Sequence, residues 1–200
     1  AFVSQSGALV TAMLDWADAQ QIGFSHFVSL GEHMDVDFGD MLDYLATDSR
    51  TRAILLYIES IESPRKFMSA ARAAARNKPV IVIKSGRSTL GQKAAASHTG
   101  ALAGSDAVYN AAISRAGMLR VNTLSELVLA GEMLARCRST AGDALTSLTD
   151  GGGAGVMAAG NLASAAGPRL RTISPGAPRA LSPPPHVAIG APYLFPYPTD

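Results

Sequence analysis

His98 lies in the run Ala94–Gly104, AAASHTGALAG, a stretch of mostly small residues just ahead of a helical pattern. Ser97 and Thr99 flank it and Gly100 follows, so no bulky side chain there keeps an anion from the backbone. Imidazole can be neutral and nucleophilic near pH 7, and a histidine so placed can accept a phosphoryl group and pass it on. A lone histidine is more often a satisfied surface or core residue. The phosphoryl reading draws its support from three other places in the chain.

The first is Ser4-Gln5-Ser6-Gly7-Ala8, where a strand leads straight into a helix. Unpaired N–H groups and the positive end of the helix dipole converge at such a point, and Ser4 and Ser6 add hydroxyl donors. Taken alone this turn is better read as an ordinary helix cap. The second is Thr149-Asp150-Gly151-Gly152-Gly153-Ala154-Gly155-Val156, again strand, glycine loop and helix. Gly151, Gly152, Gly153 and Gly155 let backbone amides approach a ligand closely. No Lys-Ser/Thr follows to make a P-loop, and no acidic residue stands about 20 positions on to complete a dinucleotide fingerprint. The third is Glu59, at the end of the strand read from ILLYIES. A carboxylate at the carboxyl end of a parallel strand faces the ligand crevice, where it can hold one ring nitrogen of His98 and leave the other free to attack phosphorus. Glu62 lies past the strand end and is expected to be solvated. Lys84 and Arg87 read equally as phosphate-facing cations and as ordinary surface charges.

The elements that must position these residues alternate. Helices are expected over Ala8–Gln20 (with Leu9, Met13 and Trp16 on one face), Asp37–Leu45, Ser63–Arg76, Asp106–Ala116 and Thr123–Arg136. Strands are expected at Phe2–Val3, Phe24–Leu30, Ala53–Ile58, Pro79–Lys84 and Met118–Val121, the longer apolar runs suiting burial on both faces. The alternation implies an α/β fold with a doubly wound parallel sheet and ligands at the carboxyl ends of its strands. A first domain is expected over 1–138. A second α/β unit begins near Gly142, with a strand at Ala144–Thr149, the glycine loop and a helix, and runs to about residue 171. Nine of the eleven prolines fall in the last 33 residues, so 172–200 reads as an extended Pro-rich tail that completes no sheet.

Two hundred residues with a net charge of +1 give no reason to expect nucleic acid or an anionic membrane as partner. One cysteine, Cys137, forbids an internal disulfide and fits a reducing cytoplasm. No run is long enough to span a membrane, no leader pattern is visible, and no metal-ligand spacing stands out. The chain opens at Ala1 inside a strand end, so a preceding segment is expected to be missing.

Together SQSGAL, VSLGEHMDVDFGDMLDYL, LLYIESI, KPVIVIKSGR and SHTGALAGSDAVYNAA resemble the ADP-forming acyl-CoA synthetases, relatives of succinyl-CoA synthetase. They are equally similar to the synthetase-like region of bacterial proteins that add a GNAT acetyltransferase domain. The resemblance covers about Phe2–Arg136 and, more briefly, LTDGGGAGVMAAGNLASAAG. It implies a flavodoxin-like ligase domain followed by the start of a second ligase domain. His98 would be the phosphohistidine and Glu59 its steadying glutamate. The turns at Ser4–Ala8 and Gly151–Gly155 would open the two helices whose amino ends hold phosphate.

The implied reaction interconverts acyl-CoA, phosphate and ADP with free acid, CoA and ATP. CoA, ADP or ATP with Mg, and phosphate are the implied ligands, mostly bound outside this chain. The implied partners are an upstream CoA-binding domain, an ATP-grasp domain or subunit, and a small carboxylic acid or acyl-CoA substrate, in an oligomeric assembly. The CoA-binding, ATP-grasp and acetyltransferase parts are not in this sequence, and the proline-rich tail departs from the family pattern. The alternative is a non-catalytic, acyl-CoA-sensing regulatory region of a protein lysine acetyltransferase, although the pairing of His98 with Glu59 favours catalysis. A truncated product that folds without activity is the third reading.

Overall fold

The structure, a computed structural model, describes residues 1–31, 35–88, 90–92, 104–136, 144–146, 152–164 and 169–171. The chain divides into two compact units, Ala1–Arg138 and Ser139–Asp200. In the first, β1 (Phe2–Ser4), α1 (Gly7–Ala19), β2 (Phe27–Ser29), α2 (Phe38–Thr47), β3 (Ile54–Ile58), α3 (Pro64–Asn77) and β4 (Val80–Lys84) lead to α4 (Asp106–Ala116), β5 (Leu119–Val121) and α5 (Leu124–Arg136). The second holds β6 (Ala144–Thr146), α6 (Gly152–Ser164) and β7 (Arg169–Arg171), with β6 and β7 parallel.

The first unit is built on a parallel five-stranded sheet in the order β2-β1-β3-β4-β5. Strand side chains alternate between faces, and each face has its own apolar layer. Val3, Ile54, Leu56, Ile58, Val80 and Val82 pack under α2, α3 and α4. Phe2, Leu55, Ile81, Ile83 and Val121 pack under α1 and α5. The continuous apolar runs of β3 and β4 are those of strands covered on both sides, and each fully buried Ile or Leu contributes about 1.5–3 kcal/mol.

Local chemistry fixes the helix ends. Asp37 caps α2: its Oδ1 accepts from Gly39 N at 2.7 Å and Asp40 N at 3.2 Å, while Asp40 Oδ2 accepts from Asp37 N at 3.0 Å. Lys66 of α3 donates to Asp40 at 2.6 Å and tethers the two amino ends. Pro64 opens α3 where its missing N–H is harmless. Gly117 ends α4 in the left-handed region, with φ +81°, where a side chain would be strained.

Some details differ from the sequence expectation. Trp16 is 40% exposed, because the stripe of α1 that meets the sheet is Val10, Met13 and Ala17. At roughly 100° per residue, Leu9 and Trp16 lie to one side of that stripe. Strand β7, in the segment just after Pro168, lay outside the expected elements: it follows α6 and pairs with β6, so the second unit is a β-α-β arrangement. The end of the expected strand Ala144–Thr149 and the Pro-rich tail, 172–200, lie outside the described residues.

Gly131 lets α5 settle on β3. A Cβ there would come within 2.9 Å of Leu55 Cδ1. Gly131→Ala is expected to lower stability by about 1–3 kcal/mol, read from the urea midpoint at unchanged slope.

Candidate active site

Strand order reverses between β1 and β3, the first two strands laid down in the centre of the sheet. In open α/β sheets the ligand crevice forms at the carboxyl ends of the strands at such a point. This is where the chain places Ser4, Ser6, Gly7 and Glu59. Each helix starts after a strand's carboxyl end, so the amino end of α1 shares that edge.

Ser4 is fully buried, and its hydroxyl both accepts from Ser6 N and donates to Ser6 O at 3.0 Å. It shapes the turn from within. Ser6 is the N-cap of α1, its Oγ accepting from Leu9 N at 3.4 Å. Gly7 and Ala8 are exposed in the first turn, and their N–H groups are among those that helical bonding leaves over. The capping reading and the anion reading are thus compatible: the hydroxyls hold the turn while the backbone amides face outward.

Glu59 follows β3 directly and is half-buried. Its N–H donates to Gln5 Oε1 at 2.6 Å, and the Ser60 N–H donates to the same oxygen at 3.0 Å. Gln5 Nε2 donates back to Ser60 Oγ at 3.3 Å. Gln5 thus ties the β1–α1 turn to the end of β3. Gln5 was not among the residues expected to form the site; the available signal was a long amide side chain at the end of a buried strand.

Lys84, at the end of β4, is 3% exposed, which settles one of the two open cations: it is no surface charge, whereas Arg87 is exposed. The Lys84 ammonium lies 4.6 Å from the centre of the Tyr109 ring on α4. Burial pulls its pKa down; the carboxylate of Asp106 pulls it up, Arg120 down and Glu59 up. Arg120 of β5 is ion-paired with Asp106 in the first turn of α4, fastening that helix start to the sheet edge. Burial, with the Glu59 charge adding, raises Tyr57 above the usual phenol range against the pull of a Ser85 hydrogen bond. Tyr57, Lys84, Ser85, Arg87, Asp106 and Asn122 line an open cleft of about 540 Å³ along these strand ends. A second cleft, of about 260 Å³, lies beside Ala1, Arg50 and Glu132, and neither cleft is lined by Ser4, Ser6, Gly7 or Glu59.

His98, Gly100 and Gly151 lie outside the described residues. Gly152, Gly153 and Gly155 fall inside the first turns of α6 rather than in a loop ahead of it. Glu62 is exposed. Among the described residues no group of three or more His, Cys, Asp or Glu could hold a metal ion, and no helix is long and apolar enough to cross a membrane.

Residues 1–134 match the family model described as the succinyl-CoA ligase like flavodoxin domain. The chain belongs to that family. The alpha subunit of ADP-forming acetate–CoA ligase I from Pyrococcus furiosus is 47% identical over 158 residues, which is 79% of this chain and 34% of the relative. An ADP-forming acetate–CoA ligase I from Archaeoglobus fulgidus is 48% identical over 159 residues, 80% of this chain and 23% of the relative. Among solved structures, a dinucleotide-forming acetyl-coenzyme A synthetase 1 from Ca. Korarchaeum cryptofilum, in complex with phosphate and ADP, superposes with a TM-score of 0.77 at 38% identity. That match covers 82% of this chain and 36% of the other. The succinyl-CoA ligase-like chain therefore spans about a third or less of the length of these relatives.

The Asp106 carboxylate opposes the burial that lowers the Lys84 pKa. Asp106→Asn is expected to move the Lys84 titration to lower pH, measured on 15N-labelled lysine side chains. An unmoved midpoint would show that Arg120 screens the pair completely.

Proposed function

We propose that this chain is the phosphohistidine-carrying ligase module of an NDP-forming acyl-CoA synthetase. One observation carries the reading: the amino end of α1 and Glu59 meet at the switch point between β1 and β3, tied by Gln5. They do so in a chain 47% identical to an ADP-forming acetate–CoA ligase alpha subunit.

In this reading His98 attacks the phosphorus of an acyl phosphate. An N–P bond forms, the P–O bond to the acyl group breaks, and the free carboxylate leaves. The phosphoryl group then passes to the terminal phosphate oxygen of ADP as the N–P bond breaks, giving ATP. Glu59 accepts the hydrogen bond from the second ring nitrogen, fixing the tautomer and offsetting the charge that develops on the ring. The backbone N–H groups of Gly7 and Ala8, with the Ser6 hydroxyl, receive the phosphoryl oxygens, and the α1 dipole stabilises their charge. Gly152, Gly153 and Gly155, with Gly151, serve as the second such helix start. Lys84, buried at the end of β4, adds a nearby cation whose charge burial weakens and the Asp106 and Glu59 carboxylates support. CoA, ADP or ATP and the small carboxylic acid are the reactants, with Mg2+ arriving on the nucleotide.

The partners this requires are a CoA-binding domain and an ATP-grasp domain or subunit, in an oligomeric, cytoplasmic assembly. The test is incubation with γ-labelled ATP and Mg2+ together with an ATP-grasp subunit, followed by mapping of acid-labile phosphate. One phosphoryl group on His98, lost in His98→Ala, is expected. Label that survives His98→Ala overturns the assignment. A folded chain that takes no label moves the reading to the acyl-CoA-sensing alternative.

A further inference from the structure

We infer that Gln5 is a positioning residue for Glu59, acting by standing in for a main-chain carbonyl in the last rung of the β1–β3 ladder. Its chemistry rests on the phosphohistidine reading, and its geometry on the hydrogen bonds alone. In a parallel pair the rungs are evenly spaced, each residue donating to one neighbour and accepting from the residue two further on. Ser4 is in register with Tyr57. Gln5 N duly donates to Tyr57 O at 3.3 Å. Regular continuation would then have Glu59 N donate to the main-chain carbonyl of Gln5. Instead it donates to Gln5 Oε1, at 2.6 Å, and Ser60 N shares the same oxygen at 3.0 Å.

The substitution has a geometric effect. A side-chain amide reaches farther than a main-chain carbonyl, so the two chains can separate after this rung while their last N–H groups stay paired. β1 can turn into α1, and the β3 chain can carry Glu59 to the crevice, without leaving the Glu59 and Ser60 amides orphaned. Gln5 Nε2 adds a return bond to Ser60 Oγ, which fixes the amide plane and so the direction of Oε1. One side chain thereby sets the spacing between the helix start proposed to hold phosphate and the carboxylate proposed to orient His98. A serine or asparagine is too short to bridge this gap, and an apolar residue of equal length offers no acceptor.

The experiment is a double-mutant cycle on label uptake at His98, using Gln5→Met, which keeps length and removes the acceptor, with Glu59→Gln. Gln5→Met is expected to slow uptake by about 10- to 100-fold, the cost of a misplaced catalytic group. In the Glu59→Gln background it is expected to cost less than about threefold, because a residue acting through Glu59 has nothing left to act on. Amide exchange at Glu59 and Ser60 should quicken in Gln5→Met, and Gln5→Glu, which keeps an acceptor oxygen, should restore protection. Gln5→Ala serves the same cycle if Gln5→Met does not fold. Equal losses in both backgrounds, or uptake within twofold of wild type, overturn the assignment. So does unchanged amide exchange beside a labelled wild type. A wild type that takes no label at all instead overturns the phosphohistidine reading, and the positioning role falls with it.

Discussion

Two neighbouring parallel strands have to part company at the centre of this sheet, and the chain must satisfy their last backbone groups as they do. β1 turns into α1 and β3 runs out towards the edge, so the main-chain ladder stops at Ser4 and Tyr57. Gln5 takes over at that divergence. The helix start, the Ser4–Ser6 turn and Glu59 are all defined relative to it.

The rest of the first unit holds that point still. Two apolar layers clamp β3 from both sides, and α5 rests directly on Leu55 through Gly131. The neighbouring edge is secured by charge: Arg120 holds the start of α4, and Tyr109 on that helix covers the Lys84 ammonium. A buried lysine is stable here because the ring face, the nearby Asp106 and a bond to Ser85 O replace its water. The polar groups along the carboxyl edge therefore form a connected set rather than separate decorations.

Much of this was legible in the sequence because its signals were local. The apolar runs at Ile54–Ile58 and Val80–Lys84, the helix start at Asp37, the Ser6 cap and Pro64 each act within a turn or a strand. Glu59 could be placed by its position at a strand end. What escaped depended on contacts distant in sequence. Trp16 satisfies the helical period yet faces outward, because which edge of an amphipathic stripe is covered depends on the sheet beneath it. Lys84 looks like any strand-end cation until Tyr109 and Arg120, more than twenty residues away, are brought over it. Gln5 could not be read because its partners are 54 and 55 positions along the chain. Strand β7 is three residues long, too short for alternation to announce it.

The internal bonds of the Ser4–Ser6 turn have a thermodynamic consequence. Ser4 Oγ is committed to Ser6, and Ser6 Oγ to Leu9, by bonds internal to the chain. The conformational entropy of ordering that loop is thus lost once, during folding, and not again at each arrival of an anion. Phosphate binding at the Gly7 and Ala8 amides, as proposed, would then require only desolvation and rigid docking. The proposed phosphoryl carrier would benefit from such a rigid receptor, because tight ordering on arrival would have to be undone at every departure.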